Sequence, residues 1–499
     1  MLFNQFHDVL PGSSIPQVYV EANQAWQEAE KLGTAILQQS LSAIACQISL
    51  PVPPQPDALP IVVFNSLNWQ RSEVVAVPLP ASLRHWKIYN LEGQQLPSQM
   101  SEASTLLFLA SDIPSVGYRV FWLCCEAGSG IGDQGSGLNK EITSNDWILE
   151  NELLRVIVEP KTGNLSNVFD KVHQREILAQ VGGNQLQAFR DSGQYWDAWN
   201  IDPNYAQHPL PPNQLKSIQW VECGPVQTRL RVMHQMGQSE FCQDYILQTG
   251  SPVLKIATTV DWQERQVLVK AAFPLNLEAD HATYEMACGA IRRPTKPKTP
   301  AEQAKWEVPA LRWADIGTDS YGVSLLNDCK YGYDSQSDQL RLTLLRSPSW
   351  PDSEADRGFH QFTYALYPHS GSWQSAHTVR RGYELNLPLQ VMLLADISYP
   401  NSGQLPVVGR LLDLSAENLV LMAFKQSEDD PHQWILRCYE CQGEPAELSL
   451  QSDLGLNVAH PVDLLERPSK TLETPPSTPT HQISPWKIAT FTVVPTKDA

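Results

Sequence analysis

The densest run of chemistry-bearing residues stands at the start of the chain, where Asn4-Gln5-Phe6-His7-Asp8 is followed by Leu10-Pro11-Gly12-Ser13-Ser14. A His beside an Asp suits metal ligation, because imidazole nitrogen and carboxylate oxygen both bind zinc, but a catalytic zinc takes three protein ligands. On residue logic alone the pair reads first as a polar turn capping the helix that follows. A second candidate is Trp196-Asp197-Ala198-Trp199-Asn200-Ile201-Asp202, with two carboxylates and two indoles on one stretch of loop. Read for function, it is a sugar platform with acid and base groups. Read for structure, the rings pack and the Asp side chains cap turns, and that reading is favoured because a loop enforces no geometry between the carboxylates. Arg292 and Arg293, before Pro294, and the loop Asp356-Arg357-Gly358 offer charges that could reach a substrate hydroxyl. Surface ion pairing is the default for such groups. His360 and His369 fall in strand-like segments and read as core or surface residues. Cys438 and Cys441 form a C-x-x-C without the second such pair that a structural zinc site of this type needs.

The elements that must hold these residues differ along the chain. Ser14 and Gln17 fit a capping box, with Pro16 tolerated in the first turn. Apolar residues recur at Val18, Ala22, Ala25, Ala29, Leu32 and Ile36 and on to Ile48, which predicts a long amphipathic helix from Pro16 to Cys46. Pro51, Pro53, Pro54, Pro56 and Pro60 make a stiff linker. The period then changes to two. Ile61–Asn65, Glu73–Leu79 and Gly117–Cys124 read as strands, and from Trp147 to about Pro400 almost only strand signals appear. Glu126–Lys140 is Gly-rich and reads as a linker, since it lacks the G-K-[ST] ending of a phosphate loop. The expected fold is mainly β: a helical segment over 1–50, a small β-sandwich over 61–125, a large antiparallel sandwich over 145–400 and a terminal small sandwich over 405–499.

Composition narrows the function classes. With 36 Lys+Arg against 54 Asp+Glu, the 499 residues carry a formal charge of −18. This disfavours nucleic-acid partners and anionic membrane surfaces. No apolar run reaches the ~20 residues of a membrane helix. The N-terminus lacks the pattern of a secretory signal. Nine Cys is an odd number, so the thiols are read as reduced and the compartment as cytoplasmic.

The segment Asn4–Ser14 resembles the last active-site motif of the class II α-mannosidases, glycoside hydrolase family 38, and its cytosolic and vacuolar branch in particular. Further segments resemble the family in the same order. They are Val63–Arg71, Leu149–Glu152, Thr162-Gly163, Asp170-Lys171, Arg175-Glu176, Asn184–Leu186, Trp196–Trp199, Arg293–Thr295, Trp313–Asp315, Asp328–Gly332 and Tyr364–His369. The resemblance implies a remnant of a helical domain followed by two or three β-sandwiches, the largest a mutarotase-like supersandwich. It implies retaining hydrolysis of terminal α-D-mannosides, with one Asp as nucleophile and a second carboxyl as acid and then base. It also implies zinc, or cobalt in its place, with His7 as a ligand. Asp8, Arg292 and Arg293 become the substrate-binding candidates.

The sequence departs from the family's pattern at the catalytic groups. It contains no His-x-Asp, the family's first zinc motif, and no domain preceding His7 that would supply the nucleophile. The expectation is therefore a C-terminal portion of an α-mannosidase, inactive by itself, whose partners are a mannosyl oligosaccharide and a complementary N-terminal catalytic polypeptide. It could be a truncated gene model, one half of a split enzyme or a decayed remnant. The alternative is a non-catalytic β-sandwich module that binds carbohydrate or a protein partner.

Overall fold

Strand alternation and one long helix account for most of the backbone in the computed structural model, which describes residues 2–80, 85–125, 147–192, 196–394, 403–468 and 480–496. The Gly-rich segment Glu126–Lys140 lies outside the described residues. The chain divides into two compact units. One takes residues 1–44, 137–284 and 292–378; the other takes 45–136, 285–291 and 379–499.

In the first unit, a nine-stranded antiparallel sheet begins with the meander Gln214–Cys223, Gln227–Met236, Ser239–Gln248 and Leu254–Trp262, and continues through Gly358–Ser370 and Tyr321–Asn327. The strand Gln227–Met236 shows why the period-two pattern works. Leu230, Val232, His234 and Met236 are buried, whereas Arg229 and Arg231 point the other way and share Asp244 on the neighbouring strand. A five-stranded sheet is ordered Gln185–Arg190, Val267–Pro274, Gln339–Leu345, Gly332–Gln336 and Val308–Pro309. Inward residues of both sheets, and of a four-stranded sheet that includes Leu154–Val158, form one core with Phe241, Trp262, Phe273 and Tyr364 among its members. This is sheet-on-sheet packing.

Val267–Phe273 is buried at every residue, so its outer face is covered as well. There Lys270 is fully buried. It donates to Glu307, to Asp334 at 2.7 Å and to the Thr343 hydroxyl at 2.9 Å. Arg341 donates to Asp334 and Tyr205. A buried ammonium is tolerable only when it is paired this fully.

In the second unit, Leu59–Asn65 pairs with Gly117–Cys125 on one side and with Gln390–Leu393 on the other. The apolar run after Leu387 thus joins the sheet of the segment near residue 61 rather than the nine-stranded sheet. A three-stranded sheet of Arg71–Pro78, Thr105–Ile113 and Ser98–Met100 contributes to the same core, which holds Ile61, Val63, Phe108 and Phe121. A separate four-stranded sheet of Leu419–Gln426, Trp434–Glu440, Ile488–Pro495 and Leu456–Val462 surrounds Leu436, Cys438 and Phe491.

The long helix spans Pro16–Ala45. The nine-residue helix Thr378–Asn386 lies in a stretch whose sequence signals are almost only those of strands. Its interior Gly382 and its short length hide the helical period. No helix among the described residues is long and apolar enough to cross a membrane.

Candidate functional site

Residues Phe3–Gln5 form one 3-10 turn, and successive turns carry the chain from Phe6 to Gly12. Tyr19, in the first turns of the long helix, holds this segment in place. Its hydroxyl donates to the Asp8 carbonyl at 3.0 Å and accepts the Ser14 N–H at 2.7 Å. The expected capping box is therefore not formed as read: Ser14 N–H goes to Tyr19, and Gln17 donates to Glu21. Burial, together with the carboxylates of Asp352, Asp8 and Asp356, raises the Tyr19 pKa, so its hydroxyl keeps the proton it donates.

His7 and Asp8 lie side by side, with Nε2 and Oδ2 3.4 Å apart and the imidazole 73% exposed. The Phe6 ring lies 4.3 Å from the imidazole, centroid to centroid. Asp8 also accepts from the Ser13 hydroxyl at 3.4 Å. The two residues line an open cleft of about 240 Å³ together with Pro11, Ser13, Ala198 and Trp199. The structure thus joins two segments that the sequence separates by almost two hundred residues.

The loop carrying Trp199 is fixed by buried carboxylates. Asp197 accepts the backbone N–H groups of Ser349 at 2.7 Å and Trp350 at 2.8 Å, and the Ala198 N–H donates to the Trp350 carbonyl at 3.2 Å. Asp191 pairs with Arg346, accepts the Asp202 N–H and so anchors both loops. Asp202 accepts the Asn204 N–H. Neither Asp197 nor Asp202 is placed as an acid or base; both cap turns. Asp356 likewise accepts the Ser347 N–H at 2.9 Å.

Three indoles remain exposed on these two loops: Trp196, Trp199 and Trp350. Trp350 and Tyr19 were not singled out in the sequence. The signal for Trp350 is its setting, Ser347-Pro348-Ser349-Trp350-Pro351, a large aromatic in a Pro-flanked loop. Tyr19 carries no local signal, because it sits within the helical pattern.

Arg292 and Arg293 lie on the edge strand Gly289–Pro294, and neither lines the cleft. Arg292 approaches His281 Nδ1 at 3.3 Å. Arg293 Nε is buried with no hydrogen-bond partner among the described residues. His369 meets Asp315 at 2.8 Å in the interior, with Ser324 between them and Thr378. Cys438 and Cys441 are buried, and burial pushes both thiols up to about 12.

These residues do not by themselves fit a zinc ion. Among the described residues no group of three or more His, Cys, Asp and Glu could hold a metal. His7 offers one exposed imidazole, with Asp8 beside it.

Residues 149–354 match the family described as Glycosyl hydrolases family 38 C-terminal domain, residues 418–491 its C-terminal beta sandwich domain, and residues 1–44 the Alpha mannosidase middle domain. The chain is 32% identical over 474 residues to Alpha-mannosidase 2C1 of Homo sapiens, covering 94% of this chain and 42% of that protein. It is 28% identical over 529 residues to Alpha-mannosidase of Saccharomyces cerevisiae, covering 98% and 42%. The chain thus spans less than half the length of these relatives. An alpha-mannosidase structure from Enterococcus faecalis V583 superposes with a TM-score of 0.78 at 16% identity, covering 98% of this chain and 62% of that one. At that identity the likeness shows the fold.

Proposed function

Because the chain belongs to glycoside hydrolase family 38 and carries its C-terminal domains, we propose that it completes the substrate site of an α-mannosidase that removes terminal α-D-mannose with retention. The observation that carries this reading is the cleft that brings His7 and Asp8 against Trp199. Asp8 accepts a hydroxyl of the sugar, and Ser13 and Tyr19 hold its carboxylate and backbone in place. The acidic surroundings, Asp8 with Asp352 and Asp356 near Tyr19, suit an uncharged, hydroxyl-rich ligand over an anionic one.

Retaining hydrolysis needs a nucleophilic carboxylate and a second carboxyl that acts as acid and then as base. Asp197 and Asp202 are committed to turns, and in this reading the pair comes from a complementary catalytic polypeptide, the chain by itself being inactive. That polypeptide also brings the His-x-Asp motif. His7 would then contribute one imidazole to a zinc or cobalt ion, which would supply Lewis-acid contact to the sugar hydroxyls. Arg292 and Arg293 become substrate contacts only if that assembly brings ligand to the edge strand. The cytoplasm is the compartment in this reading, since all nine thiols are free.

The test is mannose release from an aryl α-mannoside. The chain is assayed alone, and then joined to a catalytic domain of the family with zinc present. The expected result is no release alone, release when joined, and loss in the joined form on His7→Ala. Release by the chain alone, or none from the joined form while zinc is bound, overturns the proposal. Sugar binding without release in the joined form would leave the binding-module reading.

A further inference from the structure

We infer that the two loops beside the cleft form an oligosaccharide subsite, in which Trp199 floors the first sugar and the Trp196–Trp350 pair stacks the next. This rests on the mannoside reading above.

Trp196, Trp199 and Trp350 are 57%, 63% and 47% exposed. Large indoles are ordinarily buried over most of their surface. Trp196 and Trp350 meet edge to face, with centroids 4.2 Å apart and planes at 86°. In such a pair the edge of one ring meets the face of the other, and here each indole keeps about half of its surface exposed. Trp199 lies one turn further on, and its backbone N–H donates to the Trp196 carbonyl at 3.0 Å.

The backbone beneath is tied by hydrogen bonds. Asp197, buried between the indoles in sequence, grips two consecutive N–H groups of the Trp350 loop. Trp196 itself takes φ = 68°, a left-handed conformation costly for a bulky residue. Buried hydrogen bonds and a strained backbone thus hold the indoles beside the cleft, a position that packing of this chain's core does not require.

A hexose fits this surface. Its C–H face lies on an indole, and its hydroxyls need donors and acceptors at the rim, which His7, Asp8 and Ser13 provide on the Trp199 side. The cleft, about 240 Å³, is smaller than the ~300–1,000 Å³ of a drug-sized site. It holds one sugar ring. A second ring must lie outside it, where Trp196 and Trp350 stand. The ligand class is thus an oligosaccharide, which gains over a monosaccharide glycoside by reaching both positions.

The test is calorimetric titration of the full 499-residue chain with methyl α-D-mannoside, a linear α-mannotriose and maltotriose. The mannotriose is expected to bind more tightly than the methyl glycoside. Trp196→Ala and Trp350→Ala should each remove about fivefold of that affinity and leave methyl α-D-mannoside unchanged, whereas Trp199→Ala weakens both. Trp196→Phe, which keeps a ring, should retain most of the advantage, and thermal melts of each variant separate binding loss from unfolding. A mannotriose advantage that survives both Ala variants overturns the subsite and leaves the mannoside reading standing. Maltotriose binding as tightly, through the same indoles, upholds the subsite and sinks the mannoside reading. No binding of any of the three sugars overturns the subsite.

Discussion

His234 is a buried imidazole with one satisfied nitrogen. Its Nε2–H donates to the Thr162 carbonyl at 2.7 Å, and Nδ1 is buried without a partner among the described residues. Burial lowers its pKa, against the smaller upward pull of that carbonyl. The unfolded chain takes up this proton near pH ~6.5, while the folded chain resists until a lower pH. Stability present above that value is therefore lost as pH falls through the window below it. Urea midpoints between pH 7.5 and 5.5 should fall less for His234→Gln, which keeps a donor and cannot titrate. Identical slopes would remove His234 from the account. The same turn constrains Gly163. It sits at φ +73°, and an added Cβ would stand 2.4 Å from Val232 Cγ1 and 2.8 Å from His234 Nε2. Gly163→Ala is expected to cost roughly 1–3 kcal/mol from overpacking and strain, read from chemical denaturation. The sequence marks Gly163 as a turn glycine, but the crowding that makes Ala intolerable is tertiary and leaves no local trace.

At the scale of elements, many segments that resemble the family prove to be staples rather than reacting groups. Asn65 donates to the Trp69 and Pro114 carbonyls and accepts from Leu67 N–H and Arg71 Nε. Asn68 bonds both the Leu419 carbonyl and the Leu421 N–H. Asn151 and Asn184 do similar work in the other unit. Such residues were legible as motif members, yet their role was not, because sequence does not say whether a polar group faces a backbone or a ligand. Strands and the long helix were legible from period alone. The Thr378–Asn386 helix and the pairing of Ile61 with Leu393 were not, since one is too short for a clear period and the other joins residues more than three hundred apart. The strand bearing Lys270 gives the sharpest test at this scale. Removing the ammonium takes away the cation that Glu307 pairs with and leaves Asp334 with Arg341 alone. Lys270→Met should cost ~3–5 kcal/mol in denaturation, as for other broken buried pairs. The double change Lys270→Met with Glu307→Gln should recover part of it. A near-neutral single variant would mean that the carboxylates already share a proton.

Across the whole molecule, the question is whether these residues hold a metal on their own, and the distribution of donors answers it. All twelve His and nine Cys fall within the described residues. Several are committed elsewhere: His234 to Thr162, His369 to Asp315, His173 to Asp170, and Cys438 and Cys441 to apolar surroundings that hold them as thiols. His7 is the exposed imidazole at the cleft, with one carboxylate 3.4 Å away. One imidazole and one carboxylate fall short of the three protein ligands of a catalytic zinc. Equilibrium dialysis of the chain against micromolar zinc should therefore recover well below one ion per molecule, and His7→Ala should change little. Joined to a polypeptide that carries His-x-Asp and a nucleophilic Asp, the assembly should take up one zinc, and His7→Ala should then lower both its stoichiometry and its affinity. One tightly held zinc on the chain alone would contradict this, and if it survived His7→Ala it would also remove His7 from the ligand set.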